Sequence, residues 1–338
     1  MSQNPSVFGP DEVLAKDRSG WRRSGASNYR GQIMLVVRGR FVFIGGEMET
    51  FKLAVIQMRV VGGDKAGNLA RAAQLVAQAA AEGANVAVLP EMFDLGWTHG
   101  ACRVAADPIP DGQACTQLGE VARRHGLFVC AGLGERCGAQ VFNAAVLIDP
   151  RGDVILHHRK LNELEIGHTC YAQGDRLGVA HTALGTFGLM ICADAFARGQ
   201  VVSRTLGLMG AQVILSPCAW AVPAEHDQHR EPYGQLWLDS YSPVARDFRL
   251  WIVGVSNVGP ITGGPWKCRR CIGCSLVVGP DGLPVLRGPY GDDAEAVLVV
   301  DVTPVPRPAR GDAWEALWQH DQRKVPPGRS DAPRTNDV

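Results

Sequence analysis

One stretch indicates both the fold and the chemistry of this chain: Gly185-Thr186-Phe187-Gly188-Leu189-Met190-Ile191-Cys192-Ala193-Asp194. Its middle, 187–191, is a short apolar run that follows a glycine, which is the pattern of a buried strand. The run ends in a cysteine, a small residue and an acid. A cysteine that leaves a buried strand in a tight turn is well placed to act as a nucleophile in an α/β enzyme. For Cys192 alone the alternative is a structural thiol, because free cysteine is among the most buried residue types.

Strands and helices alternate on both sides of this stretch. Apolar runs predict further buried strands, and helical periodicity predicts the helices that separate them. The predicted strands are 52–57, 86–89, 127–132, 141–148, 154–158, 213–215, 251–255, 275–278, 285–286 and 297–300. The predicted helices are 68–81, 115–125, 204–209 and 236–248, the last interrupted at Pro243. The pattern consists of two similar halves and predicts an α/β protein whose helices lie outside two mixed sheets packed face to face.

The two ends of the chain do not share this pattern, so we place the folded domain at residues 50–303. Residues 1–49 show no sustained periodicity, and we expect a poorly ordered N-terminal extension there. In residues 304–338 Pro, Arg and Asp predominate. Such a tail is either disordered or an oligomerisation arm that docks onto a neighbouring subunit.

The charge balance and the cysteine pattern indicate which partners the protein binds and in which cellular compartment it resides. The 34 basic and 34 acidic side chains balance, so nothing suggests a nucleic acid or an anionic membrane as partner. No apolar run is long enough to span a membrane, and no signal-peptide pattern is evident. The 10 cysteines are scattered through apolar segments, which is typical of reduced thiols in a cytoplasmic protein. We therefore expect a cytoplasmic protein with neither nucleic acid nor membrane as a partner.

Three of the cysteines, Cys268, Cys271 and Cys274, form two overlapping Cys-x-x-Cys spacings. Such spacings bind zinc when a second Cys or His pair follows, but none follows here at a suitable distance. No thioredoxin-like βαβ pattern surrounds them, which argues against a redox thiol protein. We interpret the three as incidental thiols and predict no metal.

Glu91, Lys160 and Cys192 each stand at the end of a predicted strand. Open α/β sheets place their chemistry at the carboxyl ends of the strands. A thiol, a carboxylate and a cation are what thiol-dependent acyl transfer requires: the thiol attacks, the carboxylate moves the proton, and the cation stabilises the oxyanion. Separately, Glu91 could be an acid at a helix N-terminus and Lys160 a solvated charge.

In their order and surroundings, these residues resemble the nitrilase superfamily of carbon–nitrogen hydrolases. The matching motifs are Leu89-Pro90-Glu91, His158-Arg159-Lys160-Leu161, Gly188-Leu189-Met190-Ile191-Cys192-Ala193-Asp194, Gly210-Ala211-Gln212-Val213-Ile214-Leu215-Ser216-Pro217, Gly254-Val255-Ser256-Asn257 and Ser275-Leu276-Val277-Val278-Gly279-Pro280-Asp281-Gly282. The resemblance covers residues 52–302. It implies a four-layer α-β-β-α sandwich, a homodimer or larger homo-oligomer, and no metal or organic cofactor.

The resemblance also implies roles for individual residues. Glu91 would be the general base, Lys160 the oxyanion stabiliser and Cys192 the nucleophile, and the N–H of Ala193 would also face the oxyanion. Many members carry a second glutamate between the lysine and the nucleophile strand, where this chain has Gly167-His168-Thr169-Cys170. Glu163, Glu165 and His168 are the alternatives for that position, and we take Glu165 as the candidate.

The predicted function is a cysteine-dependent hydrolase of small-molecule amides or N-carbamoyl compounds, acting through a thioester. True nitrilases of the superfamily typically follow the nucleophile with Trp-Glu, where this chain has Ala193-Asp194. The run after it, Ala195-Phe196-Ala197-Arg198, also departs from the Arg-Phe-Pro-Glu-like run of many members. The alternatives are a nitrile hydrolase, an amide-based acyltransferase and a non-catalytic relative that binds a small molecule.

Overall fold

The computed structural model describes residues 48–306 and, before them, the backbone of four strands. These are β1 (Val13–Asp17), β2 (Gly20–Ser24), β3 (Ile33–Val37) and β4 (Arg40–Ile44), paired as two antiparallel hairpins, β1 with β2 and β3 with β4. We expect residues 1–49 to be poorly ordered; apart from these four strands and residues 48–49, that prediction concerns residues that the structure does not describe. The tail at 304–338, expected to be either disordered or an oligomerisation arm, also falls outside the described residues, apart from 304–306.

The first of two large sheets contains six strands, β5 (Phe51–Gln57), β6 (Val86–Val88), β7 (Phe128–Cys137), β8 (Gln140–Ile148), β9 (Val154–Arg159) and β19 (Ala296–Val302). They lie in the order β19-β5-β6-β7-β8-β9. Strands β5, β6 and β7 are parallel, and β7–β9 form an antiparallel meander. The parallel strands are joined through helices α1 (Lys65–Ala81), α2 (Cys102–Ala105) and α3 (Gln113–His125).

The second large sheet repeats this plan with β10 (Val179–Thr182), β11 (Gly185–Leu189), β12 (Val213–Cys218), β14 (Trp251–Ser256), β17 (Leu276–Val278) and β18 (Pro284–Arg287). Its strands lie in the order β10-β11-β12-β14-β17-β18. Helices α4 (Val201–Leu208) and α5 (Gln235–Phe248) connect its parallel strands. A small sheet is formed by β13 (Ala221–Val222), β15 (Val258–Pro260) and β16 (Arg270–Ile272).

Side-chain alternation shows how the layers stack. In β5, Leu53 and Val55 belong to the same buried cluster as Phe187 and Leu189 of the second sheet, so the two sheets pack face to face. Their neighbours Ala54 and Ile56 point to the other face and pack in a cluster with buried residues of α1 and α3. Buried residues of α4 and α5 cover the outer face of the second sheet. The predicted four-layer α-β-β-α sandwich is therefore confirmed.

The predicted interruption of α5 at Pro243 is wrong, because the helix runs through this position. A proline inside a helix removes the hydrogen bond to the carbonyl four residues earlier, which here is that of Asp239. The Asp239 carbonyl instead accepts a hydrogen bond from Gln200 Nε2 at 3.4 Å.

Within residues 48–306, no helix is both long and apolar enough to cross a bilayer.

Candidate active site

Glu91 lies three residues beyond the end of β6, at the edge at which the two sheets meet. Its backbone N–H donates to the carbonyl of Cys218, at the end of β12, at 3.2 Å. Its side chain is buried, with 1% of its surface exposed. Glu91 Oε1 accepts hydrogen bonds from Lys160 Nζ at 2.8 Å and from Asn143 Nδ2 at 2.7 Å. Lys160 reaches it from the residue that follows β9, and Asn143 from the middle of β8.

A second carboxylate, Glu163, closes this network from the loop after Lys160. Glu163 Oε1 accepts from Lys160 Nζ, and its Oε2 accepts from Asn143 Nδ2, both at 3.0 Å. Two donors therefore bridge two carboxylates in a closed ring. The ring is buried away from solvent, so its hydrogen bonds hold Glu91 and Lys160 in fixed positions.

Cys192 lies three residues beyond the end of β11, at the start of a short 3₁₀ turn (Cys192–Phe196). Its φ is 44°, a left-handed conformation that is uncommon for a residue with a side chain and marks a sharp turn. Register brings it beside Cys218, because β11 and β12 are parallel with Leu189 opposite Leu215. Cys192, Glu91 and Lys160 line one cavity of about 200 Å³.

Asp194 ties the Cys192 turn to the loop that carries Lys160 and Glu163. Its Oδ1 accepts from the backbone N–H groups of Leu161 and Asn162 at 3.0 and 2.7 Å. Its Oδ2 accepts from the backbone N–H of Ile191 at 2.9 Å and pairs with His158 Nε2 at 2.8 Å. Burial raises the pKa of Asp194, but the bonds from His158 and the backbone outweigh it, so its pKa is lowered. Asp194 is therefore a buried anion that fixes the two segments together.

The electrostatics of the cavity set the resting protonation of its three reactive groups. Burial raises the pKa of Glu91; the Lys160 charge opposes this and the Glu163 charge adds to it. Burial also raises the pKa of the Cys192 thiol, with further increases from Cys218 and Glu91. Burial lowers the pKa of Lys160, but Glu91 and Glu163 outweigh it and raise the pKa well above its usual value. Lys160 is accordingly cationic, Cys192 is a protonated thiol at rest, and Glu91 binds protons more readily than an exposed glutamate.

The remaining walls of the cavity are uncharged. Six aromatic side chains contribute to them: Trp97, Phe196, Trp220, Tyr233, Trp237 and Trp266. Leu164, Leu236, Ala219 and Ala221 complete the lining. Leu236 is 55% exposed, so it lies at the mouth of the cavity.

Comparison with known proteins agrees with this arrangement. A family model described as "Carbon-nitrogen hydrolase" matches residues 52–306. The chain belongs to the carbon–nitrogen hydrolase family. This confirms its place in the nitrilase superfamily, and the protein is a hydrolase of that superfamily.

Two curated relatives and one solved structure illustrate what this carbon–nitrogen hydrolase is similar to. It is 36% identical to a nitrilase from Pyrococcus abyssi over 68% of this chain and 81% of the relative. It is 31% identical to an omega-amidase from Danio rerio over 59% of this chain and 76% of the relative. An amidase from Nesterenkonia sp. shares its fold with a TM-score of 0.63 at 23% identity, covering 77% of this chain and 92% of that one.

In this hydrolase, one of the predicted site residues lies away from the cluster. Glu165, our candidate for the second glutamate, is exposed on a 3₁₀ turn (Glu165–Thr169), and His168 on the same turn is exposed too. Glu163 contacts Lys160 instead, because the loop turns inward at Glu163 and outward again two residues later. The structure therefore brings Glu163, and not Glu165, to the cluster.

Asn143 is a site residue that the sequence analysis missed. A signal for it was present, since it is a lone polar residue inside the otherwise apolar strand run 141–148.

Ala193 lies in the first turn after Cys192, where backbone N–H groups lack intrahelical partners.

The three clustered thiols lie outside this cavity lining. Cys271 is buried in β16, Cys268 is exposed, and Cys274 is partly exposed in the segment before β17. Among residues 48–306, no group of three or more His, Cys, Asp or Glu side chains is arranged to hold a metal ion.

Proposed function

We propose that this protein hydrolyses the C–N bond of a small-molecule amide or N-carbamoyl compound through a thioester on Cys192. The observation that carries the proposal is the juxtaposition of a buried thiol, a carboxylate and a lysine in one cavity. The lysine is held between two carboxylates and cannot reorient freely. A fixed cation beside a nucleophile is the arrangement that stabilises a developing oxyanion.

The proposed reaction on an amide begins with the protonated Cys192 thiol. Glu91 takes the thiol proton as the sulfur attacks the carbonyl carbon. Lys160 and the Ala193 N–H stabilise the negative oxygen of the tetrahedral intermediate. When the C–N bond breaks, Glu91 returns the proton to the leaving nitrogen, and ammonia departs from the thioester. Glu91 then takes a proton from a water molecule, which attacks the thioester; the acid leaves and the thiol is restored.

An amide is favoured over a nitrile by the residues that follow the nucleophile. A nitrile develops charge on nitrogen, which an acid must protonate. Asp194 accepts hydrogen bonds from three backbone N–H groups and pairs with His158, and its pKa is lowered, so it is unsuited to that role. The relatives carry both the name nitrilase and the name omega-amidase. In support of thiol chemistry, a mutant of the Nesterenkonia amidase is described as showing covalent addition of the acetamide moiety of fluoroacetamide at its active-site cysteine.

The experiment compares kcat/KM for ammonia release from an amide, an N-carbamoyl compound and a nitrile that share one carbon skeleton. We expect the amide or the carbamoyl compound to exceed the nitrile by about tenfold or more. Repeating the series on several skeletons separates preference for the functional group from preference for the skeleton. A nitrile hydrolysed at least as well as its matched amide would defeat the assignment.

A further inference from the structure

The charged groups of the cavity are confined to its reactive end. Glu91 and Lys160 are the charged side chains among its lining residues, and both belong to the hydrogen-bonded ring. The far wall presents indole, phenyl and phenol rings together with leucine and alanine. A substrate whose carbonyl carbon is at Cys192 therefore places the rest of its acyl group against apolar surface.

The aromatic rings of this wall hold one another in place. The rings of Trp220 and Trp237 are stacked with centroids 4.5 Å apart, and Phe196 packs against Trp237 at 5.4 Å. Trp237 Nε1 donates to the hydroxyl of Tyr233 at 2.9 Å. Trp220 and Trp237 are both almost fully buried. Such interlocked rings bind flat apolar groups with little loss of side-chain entropy.

A carboxylate on the substrate would find no counter-ion among the described residues that line this wall. Lys160 is already shared by Glu91 and Glu163, so the reactive end has no positive excess. The guanidinium of Arg269 lies over the ring of Trp266 at 4.4 Å, but Arg269 does not line the cavity. Transfer of an unpaired carboxylate from water into an apolar pocket is strongly unfavourable.

We infer that the substrate carries an uncharged apolar acyl group with an aromatic ring or a branched alkyl chain. An apolar cavity of about 150 Å³ is enough to hold benzene, and this one measures about 200 Å³. The orientation of the acyl group rests on the proposed function, but the preference for apolar ligands rests on the wall alone. Leu236, at the mouth, is the residue that a distal charged group on a bound ligand would meet.

The test measures binding to Cys192→Ala, which cannot turn substrate over, by isothermal titration calorimetry. The ligands are 3-phenylpropanamide, 4-methylpentanamide and glutaramate, a primary amide that ends in a carboxylate. We expect each apolar amide to bind at least about 30-fold more tightly than glutaramate. Glutaramate binding as tightly as the apolar amides, or more tightly, would overturn the inference.

A matched pair of variants tests whether the distal end of a bound ligand lies beside Leu236. Leu236→Arg adds a cation at the mouth, and Leu283→Arg adds one at a site that is 62% exposed and outside the cavity lining. In the Cys192→Ala background, we expect Leu236→Arg to improve glutaramate binding by about tenfold and Leu283→Arg to leave it unchanged. An equal gain in glutaramate affinity in both variants would contradict the placement of the ligand's distal end beside Leu236. If the apolar amides bind Cys192→Ala more tightly than glutaramate but the unmodified enzyme hydrolyses neither them nor the matched N-carbamoyl compounds, the apolar preference of the wall would stand and the proposed function would fall.

Discussion

Glu91 and Glu163 share one ammonium group, that of Lys160, which lies 2.8 Å from Glu91 Oε1 and 3.0 Å from Glu163 Oε1. Asn143 Nδ2 joins the same two carboxylates from the other side. Two carboxylates held this close repel each other when both are charged, and the Glu163 charge contributes to the raised pKa of Glu91. Glu163 thus positions Lys160 and also adjusts the basicity of Glu91.

Glu163→Gln tests this double role. Removal of the Glu163 charge lowers the pKa of Glu91, so the acid limb of kcat/KM, which requires ionised Glu91, moves to lower pH. We also expect kcat to fall by about 100-fold, because one of the two carboxylates that hold Lys160 becomes a neutral amide, which holds the ammonium group less tightly. The measurement is a pH–rate profile of ammonia release. Glu165→Gln is the control, since Glu165 is exposed, and its profile is expected to overlay that of the unmodified enzyme. An unmoved acid limb in Glu163→Gln would contradict the coupling.

Asp194→Asn tests the link between the nucleophile turn and the lysine loop. The substitution removes the anion that accepts from Ile191 and Leu161, so we expect a loss of about 3 kcal/mol in the free energy of unfolding. The pKa of Asp194 is lowered in the folded state. Its contribution is therefore present above the unfolded pKa of about 3.9 and is lost as the pH falls through the folded value.

The measurement is denaturant unfolding of both proteins at a series of pH values. The difference in free energy should be largest near neutrality and should shrink in acid. Asp301→Asn, at an exposed position on β19, serves as the control and should change stability little. A difference that is independent of pH would show that the charge of Asp194 contributes nothing.

Cys218→Ala tests the influence of the neighbouring thiol on Cys192. Burial is the main cause of the raised pKa of Cys192, and Cys218 is the next. Removal of the Cys218 thiol should lower the pKa of Cys192, so that iodoacetamide inactivation reaches its half-maximal rate at a lower pH. Cys115→Ala, in α3, is the matched buried control. The two thiols are not coupled if both variants give the same inactivation profile as the unmodified enzyme.

Much of the fold was predictable because its layers impose simple periodicities. Strands buried on both faces appear as apolar runs, and parallel strands bring the residues at their carboxyl ends together. Glu91 and Cys192 could therefore be placed at one edge from their positions after 86–89 and 187–191. The small sheet of β13, β15 and β16 was not predicted, because strands of two or three residues carry no periodicity.

Other features of the site depend on contacts between segments far apart in sequence. The choice between Glu163 and Glu165 is set by the path of one loop, which two residues of the same type cannot reveal. The cavity wall combines Trp97, Trp220, Trp237 and Trp266 from four separate segments. In the sequence, each of these tryptophans is indistinguishable from other apolar core residues. Only the packing of the two halves of the domain brings them together.

Cys192→Ser should abolish detectable ammonia release while leaving the melting temperature nearly unchanged. A hydroxyl fits where the thiol was but is a much weaker nucleophile in a site built for sulfur. Cys268→Ser, at an exposed position, is the control and should retain full activity. Activity retained by Cys192→Ser would remove this residue from the mechanism.

The most direct measurement is the mass of the enzyme after rapid acid quenching during turnover of an amide. Acid stops hydrolysis and preserves a thioester, so a covalent intermediate remains attached. We predict an increase equal to the acyl group minus one hydrogen, located by peptide mapping to Cys192 and missing from Cys192→Ser. An enzyme that turns over the amide with its adduct on another residue, or without an adduct under single-turnover conditions, would contradict the account.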